Sequence, residues 1–555
     1  WPPTKKVRWS SRDNVNYSEA GVLASLTFTS AHATELLRNF WQKGVNSIAR
    51  GRSEKPYAYV IPGFARQRDP ARAAYLINQL ERQAIEIERR TSGDSAGDFV
   101  IRRNQPYGDL VVNLLGIQHY PQSAKYPPYD DIAWTEGDLY GVTVHPVTDT
   151  AVFHWTGLAR VTDTVAASGA VTGTGAVYLL AYHAQGNVLP ALYALTAKEP
   201  TARASAAESV FVAGRDSYPA GSVILEGATA AGVSDVARRF ALTFTAVGAS
   251  PVVARHAEDL PRVAIYHSWY STQDAGWARY TFEQYGIPYR SIDDGDLRRG
   301  ALRTRFDVVL VPSFGGSVAQ MINGIDRRWG PLPYQRTKDT PNLGTPFASP
   351  DITGGPGFEG MAALRDFVDQ GGTLITLGAA TQFAAETGIA TPLTPHRTST
   401  LFHPGSIVRA RVRQRRSPIL YGYPDVTTLF RGNGPLYDVA NRDSGLMVLQ
   451  YGATHHVEKD EGPMLGIPDT TPPAAPDTAA TEHTTPHAGA GGDSAYVVSG
   501  MVRGEKEIIG EGAVFDVPIA KGRVIAFTFD PMHRFLNHHD FPLVWNALAN
   551  WNDRP

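Results

Sequence analysis

Apolar residues first recur near helical spacing between Ser18 and Arg50, at Leu23, Leu26, Leu36, Leu37 and Phe40, which predicts a helical lead-in over residues 1–55 behind a proline-rich start. This segment carries no partner core of its own. From Pro56 the pattern changes. Tyr57 to Ile61 is a short apolar run, Asp69 and Pro70 supply a helix start, and Ile85 to Arg89 reads as the next strand, so 56–140 is predicted as an α/β unit of βαβ type. Val142 to Thr174 is rich in Val, Thr and Gly and alternates at Val142 and Val144 and at Ala151, Phe153 and Trp155. Residues 141–261 are therefore predicted to hold a strand-rich insertion and a second α/β unit. Ala96–Ile101 (AGDFVI) is echoed by Ala220–Leu225 (AGSVIL), a short internal repeat.

The clearest alternation begins at Arg262. Val263 to His267, Phe306 to Pro312 and Thr373 to Leu377 read as strands, with helices at Ala275 to Tyr285 and Gly360 to Gln370, which calls for a parallel sheet. Residues 467–495 are nearly free of large apolar side chains and read as a linker or surface loop. Beyond them, strands Ala513 to Val517 and Arg523 to Phe529 flank a Lys521-Gly522 turn, and Phe541 to Trp551 is a closing helix. One α/β domain is thus assembled from 262–466 plus 496–555. The predicted class is α/β and multi-domain, with parallel-sheet units around a strand-rich insertion.

Composition narrows the functional classes. A chain of 555 residues that is 43% hydrophobic and 19% charged can bury several cores. With 52 Lys+Arg against 54 Asp+Glu the formal net charge is -2, which gives no electrostatic reason to expect nucleic acid or an anionic membrane as partner. The run Arg409, Arg411, Arg413, Arg415, Arg416 alternates along a predicted strand and reads as a solvated face before it reads as an anion patch. Absence of cysteine excludes disulfides, cysteine nucleophiles and thiolate metal sites together. No run approaches the roughly 18 apolar residues of a membrane span, so no transmembrane segment is expected. The start at Trp1 and Pro2, without an initiator Met or a signal peptide, reads as a processed or truncated product.

Candidate chemistry is sparse. His32 and Glu35 have the His-x-x-Glu spacing of a zinc pair, with His145 as a distant third ligand, but i and i+3 share a helix face by chance often enough that a solvated surface is the better reading. His533, His538, His539 and Asp540 form the richest group. They are read as a polar loop capping the last helix, and as candidates for a metal or ligand site. His455 and His456 with Glu458 and Asp460, and His483 with His487, lie in polar stretches read as solvated loops. Gly354-Gly355-Pro356-Gly357 is read as a turn, since no Walker lysine or dinucleotide fingerprint accompanies it.

A family resemblance rests on an ordered set of segments: KKVRWSSRDNVNYSEAGVLASL, AHATELLRNFWQKG, YAYVIP, NQPYGDLVVNLL and PPYDDIAWT between Lys5 and Thr135, and then Ala520 to Phe527, His538 and Phe541 to Leu548. Together they resemble the region after the catalytic domain of large bacterial zinc carboxypeptidases (carboxypeptidase A-like), which ends in a class I glutamine-amidotransferase-like, flavodoxin-like domain. The resemblance implies that the peptidase zinc ligands and catalytic Glu precede Trp1, so that zinc is expected only in that preceding domain, with no cofactor, metal or catalytic residue in this chain. Aligning LGAATQFAA on Gln382 puts Gly378 where the amidotransferase cysteine would stand, with Ala379 equally inert after a one-residue slip. Ser313 remains an alternative nucleophile, near Gly315 and Gly316 at the expected oxyanion strand. The expected role is a non-catalytic accessory region, secreted, periplasmic or cell-surface associated, that positions or binds peptide, cell-wall or carbohydrate material. Its rivals are an independent hydrolase or metal-binding enzyme using His533 to Asp540, and a carbohydrate-binding or assembly module acting through a partner or a second copy.

Overall fold

The computed structural model describes residues 8–121, 123–453 and 495–553. The loop predicted at 467–495, apart from its last residue, and the histidines at 455, 456, 483 and 487 lie outside the described residues. Two compact units result, one of Trp1–Ile61, Leu80–Val112 and His145–Thr162, the other of Pro62–Gln79, Asn113–Val144 and Asp163–Pro555.

The first unit opens with two helices, Ser11–Ala31 and Ala33–Ser53, where the sequence predicts one, and the break falls at His32. The first helix buries no residue and the second buries only Ser47 and Gly51. Gly51 is required there, since a Cβ would stand 2.2 Å from the Arg103 carbonyl oxygen. The unit's sheet contains β1 (Ala58–Ile61), β2 (Glu88–Arg90), β3 (Phe99–Arg102), β4 (His145–Val147) and β5 (Leu158–Arg160), in the order β4-β1-β3-β2-β5. Strand, helix and strand follow one another as predicted, but β3 inserts between β1 and β2 and pairs antiparallel with both. The result is a split β-α-β unit. Periodicity finds the elements; it carries no information on which later strand enters the gap. Ala151 and Phe153, read as alternating strand positions, lie in a short 3-10 turn at Thr150–His154.

The second unit begins with the same plan. Its strands β6 (Val171–Gly173), β7 (Val177–Leu180), β8 (Arg203–Ala207), β11 (Val223–Glu226), β12 (Phe244–Val247) and β13 (Arg255–Ala257) stand in the order β13-β8-β11-β7-β12-β6, with a hairpin of β9 (Phe211–Ala213) and β10 (Asp216–Tyr218) aside. The order β12-β7-β11-β8-β13 repeats β4-β1-β3-β2-β5. The hexapeptide echo marks equivalent places in this repeat, because each copy leads into the inserted central strand, β3 or β11. Gly97 and Gly221, the shared glycines, both adopt left-handed backbone, with φ +89° and +85°.

The tail holds a ten-stranded sheet. β14 (Val263–His267), β15 (Arg290–Asp293), β16 (Val308–Val311), β17 (Thr373–Leu377) and β25 (Gly522–Phe527) are mutually parallel in the order β15-β14-β16-β17-β25. This is the doubly wound 2-1-3-4-5 order of flavodoxin-like sheets. An antiparallel extension continues through β24 (Gly512–Ile519), β22 (Met447–Tyr451), β19 (Ser406–Val412) and β20 (Val426–Arg431), with β23 (Val497–Ser499) also on β19. β18 (Thr394–His396) and β21 (Leu436–Asp438) pair separately. Burial of β14, β16, β17 and β25 along their whole length explains why they read as largely apolar runs, unlike the edge strand β15. Ile265, Leu310, Ile375 and Ile525 join Phe282 and Trp545 in one core, while Ala264, Val309, Leu374 and Val524 join Leu364 and Phe367 in the other.

Candidate functional site

Ligands of open α/β sheets bind outside the carboxyl ends of the strands, where the strand order reverses. The tail sheet has a cavity of about 320 Å3 at that edge, lined by residues that follow four of its parallel strands: Asp274 after β14, Ser313 after β16, Gly378 after β17 and Asp530 after β25. Asp131 and His533 complete its polar wall, and Phe402 and Phe430 face the same space.

β17 turns sharply at Gly378 into the helix Ala380–Glu386, which makes a strand-turn-helix elbow. Gly378 has φ +55°, and a Cβ there would lie 2.8 Å from the Ser313 hydroxyl oxygen. The backbone amides are already engaged. Gly378 N–H donates to the Phe529 carbonyl (2.9 Å), Ala379 N–H to Ser313 Oγ (3.3 Å), and Gly315 N–H to Ser271 Oγ (3.3 Å). Ser313 is thus an internal acceptor set against the elbow.

Opposite this turn stands a charged group. One ligand-type atom from each of Asp274, Asp530 and His533 lies within 4.8 Å of the others. Asp131 Oδ2 meets His533 Nε2 at 2.9 Å, and Arg534 donates to Asp130 (3.0 Å) and reaches Asp131 (3.1 Å). Phe430 stacks on the His533 ring at 5.3 Å. Burial, and then the neighbouring Asp274 charge, push the Asp530 carboxyl up to about 7. Burial also raises Asp274. For His533 burial opposes the charged form, but the hydrogen bond and charge of Asp131, with Asp530 behind, hold it above its ordinary value. Arg534 and Phe535, beside this group, sit in left-handed backbone at φ 51° and 56°, a conformation that non-glycine residues adopt at a cost.

The other three residues of the C-terminal group point elsewhere. His538 is buried between aromatic rings, stacked on Tyr140 at 4.4 Å and close to Phe535 and Phe541. Burial, with Arg72 nearby, lowers it to about 3. His539 Nε2 meets Thr427 Oγ1 at 2.9 Å, and burial holds that imidazole neutral well below the usual range. Asp540 accepts from the Phe430 amide (3.0 Å) and from Asn537 Nδ2 (2.9 Å), and burial raises it to about 7. His533 alone of the four reaches the cavity.

The remaining candidates are scattered. His32 Nδ1 and Glu35 Oε2 make an exposed pair at 3.4 Å, and together with His145 they form no three-ligand group. Gly354 and Gly357 adopt left-handed backbone, and Gly355 receives the Arg298 guanidinium on its carbonyl, so that segment is a packed turn. In the arginine run, Arg409 and Arg411 lie half-buried on β19, Arg411 donating to the Ala453 carbonyl, while Arg415 pairs with Asp425. Asp131, Asp274 and Asp530 are the residues sequence reasoning missed. A signal existed for two of them, since Asp530 closely follows the last parallel strand and Asp274 opens the helix after the first.

No family model and no curated protein matches the chain. Among solved structures, a ThuA-like protein from Bacteroides uniformis is 10% identical, with 52% of this chain and 90% of that one covered and a TM-score of 0.26. PurLQS from Thermotoga maritima is 11% identical over 53% and 99% of the two chains (TM-score 0.28), and a glutamine amidotransferase from the same organism 8% identical over 53% and 97% (TM-score 0.27). Scores this low transfer no function, and the fold assignment rests on the strand order.

Proposed function

We propose that the chain is a non-catalytic accessory region of a secreted, zinc carboxypeptidase-like protein, and that its amidotransferase-like tail binds a ligand at the cavity beside Gly378. The observation that carries this reading is the elbow itself. Acyl transfer needs a nucleophile at the turn and free amide donors for the oxyanion. Gly378 supplies no nucleophile, and the amides of Gly378, Ala379 and Gly315 are spent on Phe529, Ser313 and Ser271.

What the cavity offers instead is acceptors between aromatic walls: Asp131, Asp274 and Asp530 beside Phe402 and Phe430. Such a lining suits ligands rich in hydroxyl and amine donors, the chemistry of cell-wall peptide and sugar. Calorimetric titration of the chain with a soluble muropeptide should give saturable binding that is lost in Asp131→Asn, with the fragment recovered intact by mass spectrometry. Conversion of the fragment by the chain would favour the hydrolase reading, which the approach of His533 to two carboxylates supports. Absence of binding would remove the accessory reading at this cavity.

A further inference from the structure

We infer that Asp274, Asp530 and His533 form a binding site for a divalent cation of the manganese-to-zinc class, within the cavity to which the proposed ligand-binding role is assigned. The three side chains come from two distant segments, the helix Gln273–Tyr285 and the turn after β25, and converge on one point of a concave surface. Their ligand atoms lie within 4.8 Å of one another. A first-row cation with bonds of about 2.0–2.2 Å spans donor atoms about 3–4 Å apart, so a small inward movement of the side chains closes the set.

A second observation is independent of the acidic pair. Asp131 Oδ2 engages His533 Nε2 at 2.9 Å, a contact that commits Nε2 and not Nδ1. If the proton resides on Nε2, shared with Asp131, Nδ1 presents its lone pair. A carboxylate on the far nitrogen is the usual way a metal-binding imidazole is oriented and made more basic. Asp131 is itself held by Arg534. Gly405 leaves it room, since a Cβ at that position would meet Asp131 Oδ1 at 2.1 Å. Asp131 is therefore a positioning residue.

The mixed oxygen and nitrogen donor set selects the cation. Imidazole with carboxylates suits manganese, iron or zinc better than magnesium or calcium, which favour all-oxygen shells. Three protein ligands leave coordination positions open toward the cavity, where a hydroxyl or amine of the bound ligand can enter. The inference rests on the binding reading only for that last contact.

The test uses the full chain, stripped with chelator and titrated with Zn2+ alone. Calorimetry and elemental analysis should show one Zn2+ per chain. Affinity should fall at least tenfold in Asp274→Asn and about 10- to 100-fold in Asp131→Asn, the effect expected of an orienting carboxylate. Anomalous diffraction at the zinc edge should place the ion between Asp274, Asp530 and His533, a readout independent of whether a variant folds. Failure of wild-type uptake, uptake unchanged in Asp274→Asn, or an ion located instead at His396, Asp438 and Glu511 overturns the inference. Muropeptide binding without Zn2+ uptake removes the cation alone, and Zn2+ uptake without muropeptide binding removes the ligand reading alone.

Discussion

Two neighbouring stretches of the C-terminal segment have similar chemistry and opposite surroundings. Asp530 and His533 line a cavity with Asp131 and Asp274, whereas His538, His539 and Asp540 are enclosed by protein. In the first stretch the polar side chains line the cavity, His533 in contact with Asp131. In the second they are turned toward hydrogen-bond partners and aromatic rings. The difference teaches that a run of histidines and carboxylates predicts polar density, while the direction of each side chain is set by the packing of the loop. The left-handed backbone at Arg534 and Phe535 lies between the two stretches.

The comparison is broken most severely by removing an enclosed group. Asp540→Ala would leave the Phe430 amide and Asn537 without their acceptor and should cost about 2–4 kcal/mol in urea unfolding, while leaving Zn2+ uptake by the folded fraction unchanged. A loss of under about 0.5 kcal/mol would show that this side chain is not structural. Next comes the elbow. Gly378→Ala should cost about 1–3 kcal/mol through its left-handed backbone and its contact with Ser313, and combining it with Ser313→Gly should recover part of that loss.

His538 of the second stretch and Asp530 of the first also differ in the sign of their pH dependence, while Asp540, raised to about 7, follows Asp530. His538 is lowered to about 3 in the folded chain, so the stability owed to its neutral ring is present above the ordinary histidine value of about 6.5 and is lost as pH falls toward 3. Asp530 is raised to about 7, so its contribution is fully present below the ordinary aspartate value of about 3.9 and is lost as pH rises through 7. Unfolding curves across pH 3 to 8 should therefore show an acid limb that flattens in His538→Phe. An unchanged limb would mean that other groups govern acid unfolding. The smallest expected effect is that of Asp274→Asn, which should change stability at pH 7 by less than about 1 kcal/mol while moving the Asp530 titration downward, as read by carboxyl NMR.

Much of the tail was legible in the sequence because four of its parallel strands are buried along their whole length. Thr373–Leu377 and Val263–His267 are buried throughout, rich in apolar residues and each followed by a helix, and both strands fall where the pattern places them. The split β-α-β units were legible as elements but not as pairings, since the insertion of β3 between β1 and β2 leaves no periodic trace. At the site, Gly378, Ser313 and His533 were named from sequence and meet in one cavity. Asp131 was not, because it reaches His533 across 402 positions of chain and no local spacing announces such a contact.

The most direct test of the central claim, that the elbow binds without reacting, is an assay of the full chain for glutaminase and ester hydrolysis, alongside Ser313→Ala. The account predicts no turnover above background in either protein. Turnover that survives purification of the wild-type chain and disappears in Ser313→Ala would contradict it and make Ser313 the nucleophile.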